Sequence, residues 1–241
     1  MQRYGNGASS GLAGGRSETK MAPMSLDLAM TEYYARRARE YEKIYDKPER
    51  QADLAVLRTR VATLLAGRHV YEVACGTGYW TQIIAPAAAS VFAIDYNEEV
   101  LEIAAAKDYP FSRVTFSRGD AFAPPPPPER CDGGLAAFWW SHVRRGAELA
   151  EFLEEFFARL LPGARVVLLD NAYVPGSSTE IARTDADGNT FQLRRLPDGS
   201  TYDVLKNFPD EAEMRRALEP YMRRLTWEQL PHYWVAWGER L

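Results

Sequence analysis

Apolar positions along the chain follow two different periods. Between residues 30 and 67 they recur every three to four residues. Tyr34, Ala38, Tyr41 and Tyr45 share one face of a helix within "MTEYYARRAREYEKIYDK". Leu54, Leu57, Val61, Leu64 and Leu65 share one face of a second helix, which Gly67 is placed to stop. From His69 the pattern changes to short apolar runs alternating with helical stretches. "HVYEVA", "SVFAIDY", "VTFSRGD" and "CDGGLAAFW" read as four strands. "WTQIIAPAA" and "EEVLEIAAAKD" read as helices between them, with Asn97 placed to cap the second. A helix from Ala147 to Leu161 puts Leu149, Phe152, Leu153, Phe156, Phe157 and Leu160 on one broad face and leads into a fifth strand, "LPGARVVLLDN". Strands alternating with helices predict an α/β fold, a parallel sheet with helices on both faces.

After Asn171 the alternation lapses. "TFQLRRLPDGSTYDVL" predicts a β-hairpin turning at Asp198-Gly199. "DEAEMRRALEPY" is a short helix, and "RRLTWEQL" and "HYWVAWGER" are two last strands separated by Pro231. Pro124 to Pro128 form a stiff connector before the fourth strand. Residues 1 to 25, rich in Gly, Ser and Ala, are expected to be a disordered extension, with Met21, Met24 and Met30 as alternative starts and an ordered chain from about Leu26.

Composition narrows the classes. A chain of 241 residues, 46% apolar, suits one domain with one sizeable core, here residues 26–241. Its net charge is −4 with no long basic stripe, so no nucleic-acid partner is expected. Arg194-Arg195 and Arg223-Arg224 read as solvated pairs. No apolar run approaches the roughly 18 residues of a membrane span, so no membrane partner is expected. The start lacks the apolar core of a signal peptide. Cys75 and Cys131 fit a reducing, cytoplasmic setting, and no close Cys/His spacing suggests zinc. Monomer and homodimer remain equally open.

The candidate chemistry sits in "YEVACGTGYW", Tyr71 to Trp80, where a strand ends and a helix begins. Gly76 and Gly78 let the backbone turn sharply beside a ligand. A phosphate loop requires Gly-Lys-Ser/Thr, and no Lys follows Gly78. A dinucleotide motif requires a third glycine where Thr81 stands. The best fit is a third pattern: "EVACGTG" resembles the first motif of class I S-adenosylmethionine-dependent methyltransferases, with Ala74 where glycine is more usual.

The resemblance extends from about Tyr34 to Leu241. It implies a Rossmann-like doubly wound, mostly parallel seven-stranded sheet with the last strand antiparallel and a β-hairpin insert after the fifth. It implies transfer of a methyl group, on O or N, to a small-molecule acceptor, with S-adenosyl-L-methionine as cofactor and S-adenosyl-L-homocysteine as product. Asp95 stands where the family binds the ribose hydroxyls, Asp120 where it reads the adenine amino group, with Tyr96, Ala121 and Phe122 beside them. Glu72, Ala74, Cys75, Gly76 and Gly78 would form the cofactor loop, Glu72 orienting the ammonium group. Aromatic side chains attract a sulfonium, and Tyr33, Tyr34, Tyr41, Tyr79 and Trp80 are candidates, Tyr34 first. Asp95 and Asp120 also have a plain reading as cap or turn residues, Glu72 as a buried acid that holds the loop amides, and Tyr34 as a core aromatic.

"AAFWWSHV" would floor the transfer site, with Phe138 and Trp139 as neighbours of the cofactor and Trp139 also beside the acceptor. His142 is either a catalytic base or a structural histidine. Asp170-Asn171 resembles the Asp-Asn pair of magnesium-dependent catechol-type O-methyltransferases, which also need an acid near the position of Phe138; no metal is therefore expected, and both residues are assigned to the acceptor pocket. Residues 26–67 would cover the cofactor and 173–205 would set specificity, with Arg194 facing an anionic acceptor or solvent. An NAD(P)-dependent oxidoreductase and a non-catalytic cofactor-binding protein are the alternatives.

Overall fold

The computed structural model describes residues 28–110 and 113–241; the expected disordered extension, with Met21, Met24 and the start near Leu26, lies outside the described residues. Helix α1 (Leu28–Arg37) continues as tight 3₁₀ turns over Ala38–Tyr45 and Pro48–Arg50 and leads into α2 (Gln51–Leu64). Then follow β1 (His69–Val73), α3 (Tyr79–Ile84), β2 (Ser90–Asp95), α4 (Glu98–Ala105), β3 (Val114–Arg118), β4 (Cys131–Ala137), α5 (Ala147–Ala158) and β5 (Leu160–Asn171). The chain ends with β6 (Arg183–Thr184), β7 (Thr190–Arg195), β8 (Thr201–Leu205), α6 (Glu211–Leu218), β9 (Met222–Gln229) and β10 (Tyr233–Arg240).

Seven strands form one sheet in the order β3-β2-β1-β4-β5-β10-β9. Neighbours from β3 to β5 are parallel, and only β10 runs against its two partners. Alternate side chains explain the burial. Tyr71, Val166, Leu168 and Trp234 enter one apolar cluster with Phe152 and Phe156 of α5. Val70, Val167, Leu169 and Val235 enter another with Leu54, Leu57 and Val61 of α2. Both sheet faces are therefore covered, as a parallel α/β sheet requires.

Two local expectations change. The first helix does not run unbroken to Lys47: tertiary contacts override its propensity. The Glu42 carboxylate accepts the Thr77 hydroxyl at 2.6 Å and pairs with Lys107, and Tyr45 stacks on Tyr79 at 3.7 Å. The hairpin gains a third strand, so the insert is an antiparallel sheet β6-β7-β8. Its turn lies at Asp198, whose carboxylate accepts the Ser200 amide at 2.9 Å.

Strand order reverses beside β1, whose neighbours are β2 and β4. A crevice at the C-terminal strand ends follows from that topology. There the backbone is strained at two non-glycine residues: Ala74 after β1 (φ 51°) and Phe138 after β4 (φ 60°). A left-handed alanine costs about 1 kcal/mol or more, whereas glycine takes that conformation freely. Ala74→Gly is therefore expected to leave stability unchanged or raise it by up to about 1 kcal/mol in urea unfolding, against the usual cost of Ala-to-Gly exchange. A loss above about 1 kcal/mol would remove the strain argument.

Candidate functional site

The crevice is a cleft of about 900 Å³. Its floor is the turn after β1. Asp95, at the end of β2, accepts the Gly76 amide with one oxygen and the Asn97 amide with the other, both at 2.9 Å. Burial raises its pKa above the ordinary carboxylate value, and these amide bonds partly offset that. Asn97 occupies the cap position of α4, but its side chain donates to the Thr31 carbonyl at 3.3 Å and makes no cap bond.

Glu72 projects from β1 and is 1% exposed. Its Oε2 accepts the Thr81 hydroxyl at 2.7 Å, while Oε1 has no partner. Burial pushes its pKa up to about 8. Trp139 Nε1, on another cleft-lining residue, is likewise buried without a partner. Buried polar atoms are normally satisfied, so a polar ligand is the natural complement to both.

The N-terminal segment supplies the roof. Tyr34, Tyr41 and Tyr45 line the cleft, opposite Trp80 and Phe138, whose rings stack at 6.0 Å. Glu42 clips this segment to Thr77 of the glycine loop. Arg58 donates to the Tyr79 hydroxyl at 2.8 Å and holds that ring against Tyr45. Tyr33 points elsewhere, packing on Tyr202 of the insert at 5.6 Å.

A second cavity, of about 680 Å³, shares Tyr34, Tyr41 and Phe138 with the first. Beneath their junction lies a buried polar chain. His142 Nδ1 lies 2.9 Å from the Leu205 carbonyl, which only accepts, so that nitrogen carries the proton. Its Nε2 then accepts the Tyr34 hydroxyl at 2.9 Å. Lys206 Nζ donates to Ser141 Oγ at 2.6 Å and pairs with Asp170 at 3.3 Å. Burial, and then the Lys206 ammonium, push the His142 pKa down to about 3. Burial also raises Tyr34 well above the ordinary phenol value. His142 is thus a neutral ring whose free lone pair is already used. That geometry does not suit the base anticipated from its strand-end position.

Most anticipated residues converge on the cleft: Tyr34, Tyr41, Glu72, Ala74, Cys75, Gly76, Tyr79, Trp80, Asp95, Tyr96, Ala121, Phe138 and His142 all line it. Four others do not line it. Gly78 caps α3 at φ 75°, and a Cβ there would lie 2.5 Å from Tyr109 Oη, so its smallness serves packing. Asp120 spends an oxygen on the Phe122 amide at 2.9 Å while its neighbours Gly119 and Ala121 face the cleft. Phe122 turns into the core against Phe152 and Trp139. Asp170 is fully buried and accepts the Ser141 amide at 3.0 Å, so it supports the site from below. Trp139 lines the first cleft and not the second cavity, while Asn171 and Arg194 line the second. Sequence reasoning missed Met30, Thr77 and Asn97 in the cleft and Arg50 and Lys206 in the second cavity. Nothing in the local sequence marks the last two, and only long-range packing buries them.

Among the described residues, no group of three or more His, Cys, Asp or Glu side chains could hold a metal ion, and no helix is long and apolar enough to cross a membrane.

Comparison with known proteins agrees with this geometry. A methyltransferase-domain family matches residues 70–163. The chain is 30% identical over 158 residues to a probable S-adenosylmethionine-dependent methyltransferase of Mycolicibacterium smegmatis, covering 66% of this chain and 58% of that protein. It is 29% identical over 120 residues to demethylmenaquinone methyltransferase of Clavibacter sepedonicus, covering 50% of this chain and 48% of that one. The chain thus spans about half the length of the curated relatives it matches. Among solved structures, the DhpI–SAH complex superposes with a TM-score of 0.71 at 26% identity, over 89% of this chain and 97% of that one. With its switch-point cleft, its acid at the end of β2 and its strand order, the chain belongs to the class I S-adenosylmethionine-dependent methyltransferases.

Proposed function

We propose that the protein methylates a small-molecule acceptor held in the second cavity, without a metal, using S-adenosylmethionine held in the cleft. The observation that carries this reading is the partnerless, buried Glu72 oxygen facing the same cleft as the Asp95 carboxylate. When bound, S-adenosylmethionine supplies an electrophilic methyl group on a sulfonium. Asp95 would hold the ribose hydroxyls, Glu72 the ammonium end, and Gly119, Ala121 and Tyr96 the adenine side. Tyr34, Tyr41 and Phe138 form the wall common to both cavities. They exclude water there and present aromatic faces toward positive charge. His142 fixes the Tyr34 hydroxyl and so positions that wall. Asp120 shapes the turn beside the adenine side through the Phe122 amide.

Calorimetry with S-adenosylhomocysteine and NAD in parallel tests the reading. Binding of the first and not the second is expected; the reverse would favour an oxidoreductase. Labelled methyl transfer into a metabolite extract separates an enzyme from a non-catalytic binder.

Glu72 adds a pH signature. With a pKa of about 8 in the free protein, it is mostly protonated at pH 7. A bound ammonium favours the carboxylate, so binding releases a proton. Affinity for S-adenosylhomocysteine is therefore expected to rise with pH, by at most about tenfold per unit, and to level off above about pH 8. Glu72→Gln should flatten the profile and abolish the dependence of binding enthalpy on buffer ionisation. A profile equally steep in the variant would assign the proton elsewhere.

A further inference from the structure

Positive charge converges on the second cavity from four parts of the fold. Arg37 comes from α1, Lys47 and Arg50 from the turn before α2, Arg194 from β7 and Lys206 from just after β8. Among the described residues, no carboxylate side chain lines the cavity. Among the described residues, Lys206 alone of these cations has an acid within ion-pair distance, Asp170. The others rest on neutral groups. Arg37 donates to the Tyr33 hydroxyl at 2.9 Å, and Lys47 to the Ser177 carbonyl at 2.7 Å. Arg194 donates to Gln192 Oε1 at 2.5 Å. Arg50, only 5% exposed, donates to Asn171 Oδ1 and Ser177 Oγ, each at 3.0 Å. Glu49 accepts the Ser177 hydroxyl at 2.9 Å but does not line the cavity. Outside this site, Arg36, Arg60, Arg145 and Arg159 each pair with an acid.

Like charges gathered without a counter-ion repel one another. Burial lowers the Lys47 and Lys206 pKa values, and both Arg50 and Arg194 lower them further. Holding such an arrangement costs the free protein stability, and an anion of matching charge relieves that cost. One carboxylate is satisfied by one arginine fork. Cations arriving from several directions, with Asn171 and Ser177 between them, match an anion that presents oxygens in several directions.

We propose that the second cavity binds a small, multiply charged tetrahedral oxyanion of the phosphoryl or phosphonyl class, and that one of its oxygens is the atom methylated. The second half follows from the groups at the junction. His142 has no free lone pair, and Lys206 already donates to Ser141 and Asp170. The acceptor atom must therefore be nucleophilic without losing a proton, and an anionic oxygen is. Its lone pair forms the O–CH3 bond, and the C–S bond breaks with its electron pair left on sulfur. No proton moves, and the acceptor leaves as a methyl ester with one negative charge fewer. This half rests on the methyl-transfer reading above; the binding half does not.

The test is calorimetry at constant ionic strength with inorganic phosphate, methylphosphonate and acetate, and with S-adenosylhomocysteine titrated separately. Methylphosphonate or phosphate is expected to bind at least about tenfold more tightly than acetate. Arg194→Gln and Lys47→Gln, both at partly or fully exposed positions, should each weaken that binding about fivefold or more while leaving S-adenosylhomocysteine within about twofold; Arg216→Gln, on α6, should change neither. Acetate binding as tightly as the tetrahedral anions, or no anion binding at all, would overturn the site while the cofactor titration stands by itself. Loss of S-adenosylhomocysteine binding in the wild type would instead sink the methyl-transfer reading. Incubation with 13C-methyl-labelled S-adenosylmethionine and saturating methylphosphonate should give the methyl ester, seen as carbon–phosphorus coupling. Bound anion with no ester formed would overturn the choice of oxygen.

Discussion

Asp95→Ala is expected to weaken S-adenosylhomocysteine binding by at least about 100-fold while the protein stays folded. A carboxylate accepting from two hydroxyls contributes about 1.5–3 kcal/mol per hydrogen bond, and two such bonds convert to about two decades in affinity or more. The substitution also frees the Gly76 amide, which Asp95 holds at 2.9 Å, so the loop itself loosens. Stability should fall little. The folded pKa of Asp95 is raised, and burial is the largest cause. For a raised carboxyl the stabilising contribution is present below the unfolded pKa and is lost as pH rises through the folded one. At neutral pH the ionised group is therefore a net burden on the free fold. A thermal melt within a few degrees of wild type, together with the affinity loss, is the expected pair of results. Unchanged affinity would exclude Asp95 from the ribose subsite. Asp95→Asn keeps one acceptor and should fall between the two.

The same residue shows what was legible in the sequence. "VFAIDYN" gives an unbroken apolar run ending in an acid, and the end of that run marks where the strand stops. The strand–helix order and the two faces of β5, Val166 and Leu168 against Val167 and Leu169, are local patterns too. What local pattern cannot carry is the partner across the fold. Phe122 looks like a ring beside a ligand until Phe152 and Trp139 claim it. Asp170 looks like a pocket acid until Lys206, 36 residues away, is found beside it. The 3₁₀ turns of Ala38–Tyr45 violate a clean helical period because Glu42 and Tyr45 answer to Thr77 and Tyr79. The cationic cavity is the extreme case: its five cations come from four separate segments and converge only when the insert docks on α1. Arg36 and Glu32 of α1 make that docking, through Asp198 and the Tyr202 hydroxyl.

The buried pair at the base of that cavity should yield the largest stability effect. Lys206→Met is expected to destabilise the protein by about 3–5 kcal/mol, because it leaves a buried charge without its partner. Asp170 is 0% exposed. Its remaining donors are the Ser141 and Asn171 amides, at 3.0 and 2.7 Å, with the Asn171 side chain at 3.0 Å. Burial alone would raise the Asp170 pKa, but the Lys206 ammonium pulls it below the ordinary carboxylate value. A depressed carboxyl contributes stability above the unfolded pKa and loses it as pH falls through the folded pKa. The Lys206→Met penalty should thus be full at pH 7 and shrink below about pH 4. For a chain of this size the melting temperature should drop by roughly 10 °C. Asp170→Asn in the same chain should recover much of the loss, since replacing both charges removes the stranded one. S-adenosylhomocysteine affinity should move little, because neither residue lines the cleft. A Lys206→Met variant that melts with the wild type at pH 7 would mean that Asp170 is carried by its amides alone. The ammonium would then be held in the cavity for the acceptor and not for the fold.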